Sequence, residues 1–492
     1  MYKFTFHLYR WMFYFCRMRY TIFTLAIFFV LSITPAQAQQ KWDLRKCVDY
    51  ALANNISIKQ TDVQAKIADI QLRQSKENVY PTVGFGGNTS FNSGLHQDPT
   101  TFSLITQNYI AAGFQLQASA QIFNWYSRQN TIAANHWQAE AAKASTDKLK
   151  DDISLTIANN YLQILLSKEQ EKIAAVQLEQ SKAQYSNTQK LVDAGSLPEL
   201  NATELEAQVE TDSANYISAV GNVEQNILVL KSNMNIDAAV PFEVDEPPVE
   251  LIPIEKIADL QPDAVYTLAL ANLPQQRVND FKLKAAQKNA DVAKAGMYPT
   301  FSAFADLGSA YNSIGEIITG VSYLNEPIGF VNVGGTNYSV LSPMPLYSTS
   351  KEGFFKQMNS NFGQSIGISL SVPIFSGGSL RSNWEISKLN IRTTELQKES
   401  DNQTLKQNIY QAYNAAIVAL EKFTASKKSV DASQRSYDFA EKRYAVGMLS
   451  TIELITDQNS LLSAKLQYVQ NQFDYVFKMK VLEFYKGQGL KL

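Results

Sequence analysis

The sequence predicts an α+β membrane protein built from a duplicated half, each half holding two β-strands and long coiled-coil helices. Three observations carry this. First, the chain repeats itself. A shift of 218 puts Ala51-Leu52-Ala53-Asn54 on Ala269-Leu270-Ala271-Asn272 and Tyr80-Pro81 on Tyr298-Pro299. A shift of 252 puts Ile122-Phe123 on Ile374-Phe375 and pairs Tyr161 with Tyr413, Tyr185 with Tyr437, Gly195 with Gly447 and Tyr216 with Tyr468. The offsets differ by 34, so the second copy carries that many extra residues between Pro299 and Ile374. Copies of ~220 residues are far longer than a solenoid repeat, so this is a doubled half-molecule. Second, Tyr126 to Val192 and Ser379 to Val446 are runs of 67 and 68 residues with neither glycine nor proline. Third, each run is preceded by a nearly uncharged stretch of period-two texture.

The order of elements follows from these signals. Residues 1–38 have the form of a signal peptide: basic Lys3, Arg10, Arg17 and Arg19, an apolar run from Tyr20 to Ile33, and small residues at Ala36-Gln37-Ala38. That run is too short to cross a bilayer. Met18 is an alternative start, and an N-terminal anchor is the competing reading. Cys16 precedes the apolar run, which argues against lipid attachment at the cleavage site. The first repeat is placed at 39–232. Asp43 to Asn55 and Ile56 to Val79 read as helices, and Pro81 ends the second, because proline disfavours helix in the residue before it and lacks a donor.

A strand pair follows at 82–125. Phe114, Leu116, Ala118, Ala120 and Ile122 alternate with Gln115, Gln117, Ser119 and Gln121, which gives one apolar and one polar face. Val83, Phe85, Gly87, Thr89 and Phe91 alternate more weakly before a turn at Asp98-Pro99. A helical hairpin is then expected over 126–232. Its first arm would be roughly 100 Å long at 1.5 Å per residue. Gly195 marks the tip, and Val209, Tyr216, Val223 and Leu230 form a seam at intervals of seven.

Residues 233–262, with Pro241, Pro247-Pro248 and Pro253, form a linker that is either flexible or an ordered belt on the helices. The second repeat is placed at 263–486, with a strand pair at 300–375, a hairpin over 379–486 tipped by Gly447, and a tail at 487–492. Its last helix carries Leu454, Leu461, Tyr468, Tyr475 and Leu482 at intervals of seven. A neighbouring column, Ile455, Leu462, Val469 and Val476, widens that stripe to meet two neighbours.

Composition excludes several functions. Lys plus Arg is 44 and Asp plus Glu is 46, so no bulk field favours nucleic acid. Past the leader one cysteine remains, Cys47, and one cysteine cannot close an intrachain disulfide. No later stretch approaches a helical membrane span. His7, His96 and His136 are scattered, with no zinc cluster, phosphate-cradling loop or serine elbow. No cofactor, metal site or catalytic residue emerges. Four strands cannot close a barrel, for which about eight are needed, and open edges cannot sit in lipid. Strands pooled from several chains solve both problems, giving a membrane barrel continued inward by long helices. The rival readings are a secreted or periplasmic coiled-coil structural protein and a periplasmic enzyme.

Tyr80-Pro81, Tyr298-Pro299, Val372-Pro373-Ile374-Phe375 with Gly377-Gly378, and Arg443-Tyr444-Ala445-Val446-Gly447 occur in order with matching helix lengths. With these motifs the chain resembles TolC-type outer-membrane efflux channels over almost all of its mature length. The resemblance implies a homotrimer in outer-membrane lipid: a 12-stranded β-barrel continued by a 12-helix periplasmic α-barrel. It implies a passive exit duct, with no enzymatic activity, that opens when an inner-membrane pump and a periplasmic adaptor (membrane fusion) protein dock. It also implies docking at the tips, Gly195-Ser196-Leu197 and Gly447-Met448-Leu449. Family members carry acids at the entrance constriction, six and nine residues after the tip glycine. Those positions are Glu453 and neutral Thr456 here. Closure in the family joins a tyrosine to an arginine and an aspartate. Tyr444 fits the tyrosine, but Leu449 and Asn201 stand at the other two positions, so closure here requires different contacts. Trp125, Tyr126 and Tyr298 at the strand ends suit an interfacial aromatic girdle.

Overall fold

A computed structural model describes residues 41–97, 103–249 and 252–487. The expected signal peptide, the Asp98-Pro99 turn and all but the first residue of the tail lie outside the described residues. Two short helices, α1 (Leu44–Asn54) and α2 (Ile56–Glu77), open the chain and lead into β1 (Thr82–Gln97) and β2 (Leu104–Phe123). The hairpin arms α3 (Ser127–Asp193) and α4 (Glu199–Met234) complete the first half. The second half runs α5 (Pro262–Asn272), α6 (Pro274–Ala295), β3 (Thr300–Asn312), β4 (Glu316–Val333), β5 (Thr336–Lys351), α7 (Phe354–Ser360), β6 (Gly363–Ser371), α8 (Ser379–Ala445) and α9 (Thr451–Phe484).

The two longest helices fill the glycine- and proline-free runs almost to their ends. Each spans roughly 100 Å. Next to the strands, α2 and α6 pack along the upper halves of α3 and α8; further down, α4 and α9 take their places. Every level of the helical part therefore holds four helices per chain. Small residues let the upper helices approach closely: Ala65 and Ala68 on α2, Ala134 and Ala141 on α3, and Ala285 on α6 are all buried. Polar ties add register, as where Gln276 donates to Asn402 at 2.9 Å and Trp137 stacks on Phe281 at 5.5 Å. The seam residues Val223, Leu230, Leu454, Leu461 and Leu482 are buried, whereas Val209, Tyr216, Tyr468 and Tyr475 are only half-buried.

Of the two readings of residues 233–262, the described part is a belt packed on the helices. Val244 and Leu260 are fully buried. Trp42 brackets the belt, donating to Glu243 O and accepting from Asp245 N, both at 2.9 Å, and stacks on Phe242. The buried Tyr161 hydroxyl donates to Asp245 O at 2.6 Å, and Lys231 donates to Ala238 O and Val240 O where α4 ends.

Cys47 is fully buried in this same core. Burial, with help from Asp43, pushes its thiol up to about 12. The unfolded thiol ionises near its reference value of 9.0, so the folded state holds the proton longer. Its contribution to stability is full below pH 9 and is lost as pH rises towards 12. Since the thiolate is the reactive form, iodoacetamide at pH 8 is expected to label Cys47 only after unfolding. Mass spectrometry reads this directly, and rapid labelling of the native protein would contradict the burial.

Candidate lumen and periplasmic entrance

Strands from both halves form one antiparallel sheet in the order β1-β2-β3-β6. Its register aligns like with like. Phe85 faces Leu116, Leu116 faces Leu307, and Ala305 faces Ile366. These fall on one surface with Val83, Ile368 and Leu370, and that surface is exposed: Ile366 is 88% and Ile368 72% accessible. The opposite surface carries Asn88, Gln115, Gln117, Ser365, Ser369 and several glycines. Asp306 is the only charged residue of the four strands, and Gln115 and Ser365 reach it at 3.5 Å each. On the same surface the Phe304 ring lies over Gly367, where an added Cβ would come within 2.6 Å. β1 and β6 are the two edges, each paired with one strand among the described residues. An edge of this length is a pairing template.

All four strands join helices at the same end of the sheet. The turn from β2 into α3 places Trp125 (φ 52°) and Tyr126 (φ 62°) in the left-handed region; the equivalent turn uses Gly377 (φ 61°) and Gly378 (φ 81°). Glycine accepts this conformation freely, whereas an aromatic residue is strained there. The strained pair is embraced by rings: Trp125 lies 5.0 Å from Tyr298 and 5.4 Å from Phe123. Thus Trp125, Tyr126 and Tyr298 gather at the sheet-to-helix junction, all of them exposed.

At the far end of the hairpins the tips are near copies. Gly195 (φ 72°) and Gly447 (φ 73°) end α3 and α8. Ser196 N donates to Leu191 O at 2.8 Å and Met448 N to Arg443 O at 2.9 Å, the six-to-one bond of a Schellman cap. Around them the tips are exposed and partly apolar, with Val446 at 66% and Met448 at 71% accessible, while Leu197 and Leu449 are half-buried.

Glu453 sits in the first turn of α9. Its carboxylate accepts from Ser450 N (3.0 Å) and Ser450 Oγ (2.8 Å), and its own N–H donates to Ser450 Oγ (3.3 Å). This is a capping box. The backbone and hydroxyl bonds from Ser450 hold the fully exposed carboxyl below the usual carboxylate range. The charge-dependent part of its capping contribution is therefore present at neutral pH and is lost as pH falls through the acid range below the usual carboxylate value. Thr456, one turn further, donates back to Ile452 O.

The Tyr444 hydroxyl meets Thr188 Oγ1 of α3 at 3.1 Å, not Asn201, and one helical repeat away Gln184 donates to the Tyr437 hydroxyl at 2.6 Å. Leu449 packs with Tyr437, Ala440, Leu454 and Leu461 in an apolar knot between α8 and α9. About 20 Å behind the tips lies a buried polar cluster. Asp212 of α4, only 1% exposed, accepts from Ser181 Oγ and Gln177 of α3 and from Gln208 of α4, while Gln458 of α9 donates to Ser181 at 3.0 Å. Sequence reasoning missed Thr188, Gln184, Asp212 and Asp306. Asp306 had a visible signal, a lone acid in uncharged strand texture. The others had none, because their partners, Gln208 excepted, lie on other helices.

A one-sided four-stranded sheet joined at one end to ~100 Å hairpins fits one class: an envelope-spanning channel protein. No helix of the described residues is long and apolar enough to cross a membrane. The sequence matches the family described as Outer membrane efflux protein over residues 47–235 and 265–483, and the chain belongs to that family. It is 22% identical over 474 residues to the toluene efflux pump outer membrane protein TtgC of Pseudomonas putida, covering 93% of this chain and 86% of that protein. It is 20% identical to the outer membrane protein TolC of Escherichia coli, covering 92% and 84%. Among solved structures, CusC superposes with a TM-score of 0.72 at 16% identity, covering 91% of this chain and 92% of the other. VceC of Vibrio cholerae does so with 0.69 at 15% identity, covering 91% and 96%. The protein is an outer-membrane exit duct for efflux and not an enzyme.

Proposed function

We propose that three copies of this chain pool their sheets into a 12-stranded β-barrel in outer-membrane lipid, with β6 of each copy paired to β1 of the next. The single observation that carries this is the four-stranded sheet, apolar on one surface, polar on the other, with each edge strand paired to one strand among the described residues. Closing twelve strands satisfies every edge group, as lipid requires. Four helices per level become twelve, continuing the barrel as a tunnel into the periplasm. The duct is passive. An inner-membrane pump supplies the energy, and a periplasmic adaptor docks on the exposed tips at Gly195-Ser196-Leu197 and Gly447-Met448-Leu449.

Tyr444, Glu453 and Thr456 lie at the entrance. The links from Tyr444 to Thr188 and from Tyr437 to Gln184 hold α8 against α3 in place of a tyrosine-to-aspartate link. Three Glu453 carboxylates around the axis repel one another and attract cations. The test is single-channel conductance of the purified protein in planar bilayers, together with its oligomer mass. A solitary, non-conducting molecule would sink the reading. Glu453→Gln separates the two roles of this residue, because glutamine retains the capping box while removing the charge. It is expected to weaken block by multivalent cations while losing only the charge-dependent part of the cap, and Glu453→Ala to lose block and cap together. Unchanged block in both variants would place Glu453 outside the constriction.

A further inference from the structure

The second half holds four strands, not the expected two, because its 34 extra residues add the pair β4 and β5. β4 and β5 pair from Glu316↔Lys351 to Val333↔Thr336 as a two-stranded ribbon, separate from the four-stranded sheet. The ribbon is roughly 55 Å long at about 3.4 Å per residue. It leaves β3 and returns to β6 at the end of the sheet opposite the helices. Its root is anchored. Gln357 of α7, 4% exposed, accepts from Asn312 N and donates to Asn312 O, both at 2.9 Å, covering the edge of β3 beyond the end of β6. Among the described residues, the extensive packing of β4 and β5 is with each other.

Such a ribbon is marginal in water by itself, and this one is apolar on both surfaces. Tyr323, Phe330 and Leu341 lie on one, and Leu324, Met344 and Leu346 on the other; each is 51–71% accessible. Its two long edges are blocked. Pro327, Pro343 and Pro345 fall at one parity of the ladder, in the pairs Pro327↔Leu341, Asn325↔Pro343 and Tyr323↔Pro345. Proline has no donor to give the ladder, so these are positions whose N–H would point outward. Strand addition along either edge is thereby disfavoured. Whatever covers the ribbon lies on its surfaces.

We infer that the β4–β5 ribbon packs surface to surface against the same ribbon of neighbouring copies of this chain, over the outer mouth of the duct. This rests on the trimeric reading above. Three features select a second copy as the occupant. The ribbon is rooted between β3 and β6, and β6 is the edge that meets the next copy. Its reach makes the contact sterically possible: a 12-stranded barrel has a radius of roughly 12 Å, from a spacing of ~4.8 Å and a tilt of ~40°. Three rooted ribbons each several times that length come within reach of one another. The third feature is charge. Between Ile317 and Ser350 the one charged residue is Glu326. Identical copies can meet without burying repelling charges, whereas an anionic lipid headgroup layer would call for Lys or Arg.

The test places a photo-reactive side chain on each surface of the full-length protein, as Tyr323→p-benzoylphenylalanine and Leu324→p-benzoylphenylalanine. Irradiation is expected to shift chains to covalent dimer and trimer bands, with the new bond mapping to residues 316–351 of a second copy. A trimeric mass without inter-chain adducts from either position overturns the inference and leaves the duct reading intact. So do adducts only to lipid, or only to a different protein. A monomeric mass without conductance overturns both.

Discussion

Ile368→Lys destabilises the assembled protein by about 2–4 kcal/mol, whereas Ser369→Lys, the next residue, leaves stability nearly unchanged and reduces the preference for cations. The contrast follows from the pleat. Ile368 stands opposite Ala303 on the apolar surface and is 72% accessible in the single chain. Ser369 stands opposite Ser302 on the surface that carries Asp306. If the apolar surface faces lipid, a lysine there must snorkel or drag water inward; on the lumen side it meets water at once. Unfolding of protein reconstituted in lipid vesicles measures the first effect, and reversal potentials in bilayers the second. Equal costs at both positions would mean that the sheet has no lipid side, and a pooled barrel could not stand.

Asp212→Ala is expected to cost about 3 kcal/mol in the lower helices. The carboxylate is the common acceptor for Ser181, Gln177 and Gln208, and Ser181 in turn receives Gln458 from α9. Removing it strands several buried donors at once, which is costlier than losing one bond. Because the cluster joins α3, α4 and α9 behind the tips, its loss should also raise protease cleavage near Gly195 and Gly447. Thermal unfolding of the purified protein and limited proteolysis read these two effects. A change within about 0.5 kcal/mol of the parent, the ordinary range for a surface substitution, would show that the cluster does not bind the helices together.

Particular residues show what was legible from sequence. The long helices could be read because their signals are local: Pro81, Gly195, Pro198 and Gly447 punctuate runs of good helix formers. The sheet surfaces could be read from Phe114 to Ile122, since side chains alternate strictly along a strand. The seam was read only in part. Val223 and Leu230 are buried, but Val209 and Tyr216 keep partial exposure in a single chain, as a stripe shared with a neighbouring copy would. The nature of the 34-residue insertion was not legible. Its apolar residues are broken by prolines and two bulges, at Ile318/Gly320 and Pro327/Gly329, which blur the period of two. Glu453 was read only as an acid near the tip; its capping role was missed, although Ser450-Thr451-Ile452-Glu453 has the local spacing of a capping box.

The amino-acid sequence by itself determined the duplication, the placing of the hairpin tips and the division of the first half's strands into an oily and a wet side. The duplication shows as matching residues at fixed offsets, and the tips and strand faces depend on residues within a few positions of one another, so chain connectivity alone brings those groups together. Tertiary structure alone decided that Tyr444 meets Thr188, that Asp212 gathers donors from three helices, that the proline-rich belt packs on the helices, and that β4 and β5 leave the sheet to stand apart. Those outcomes turn on contacts between elements far apart in the chain. Long side chains such as glutamine and tyrosine can reach any of several partners, and only the completed packing fixes which one lies at hydrogen-bonding distance.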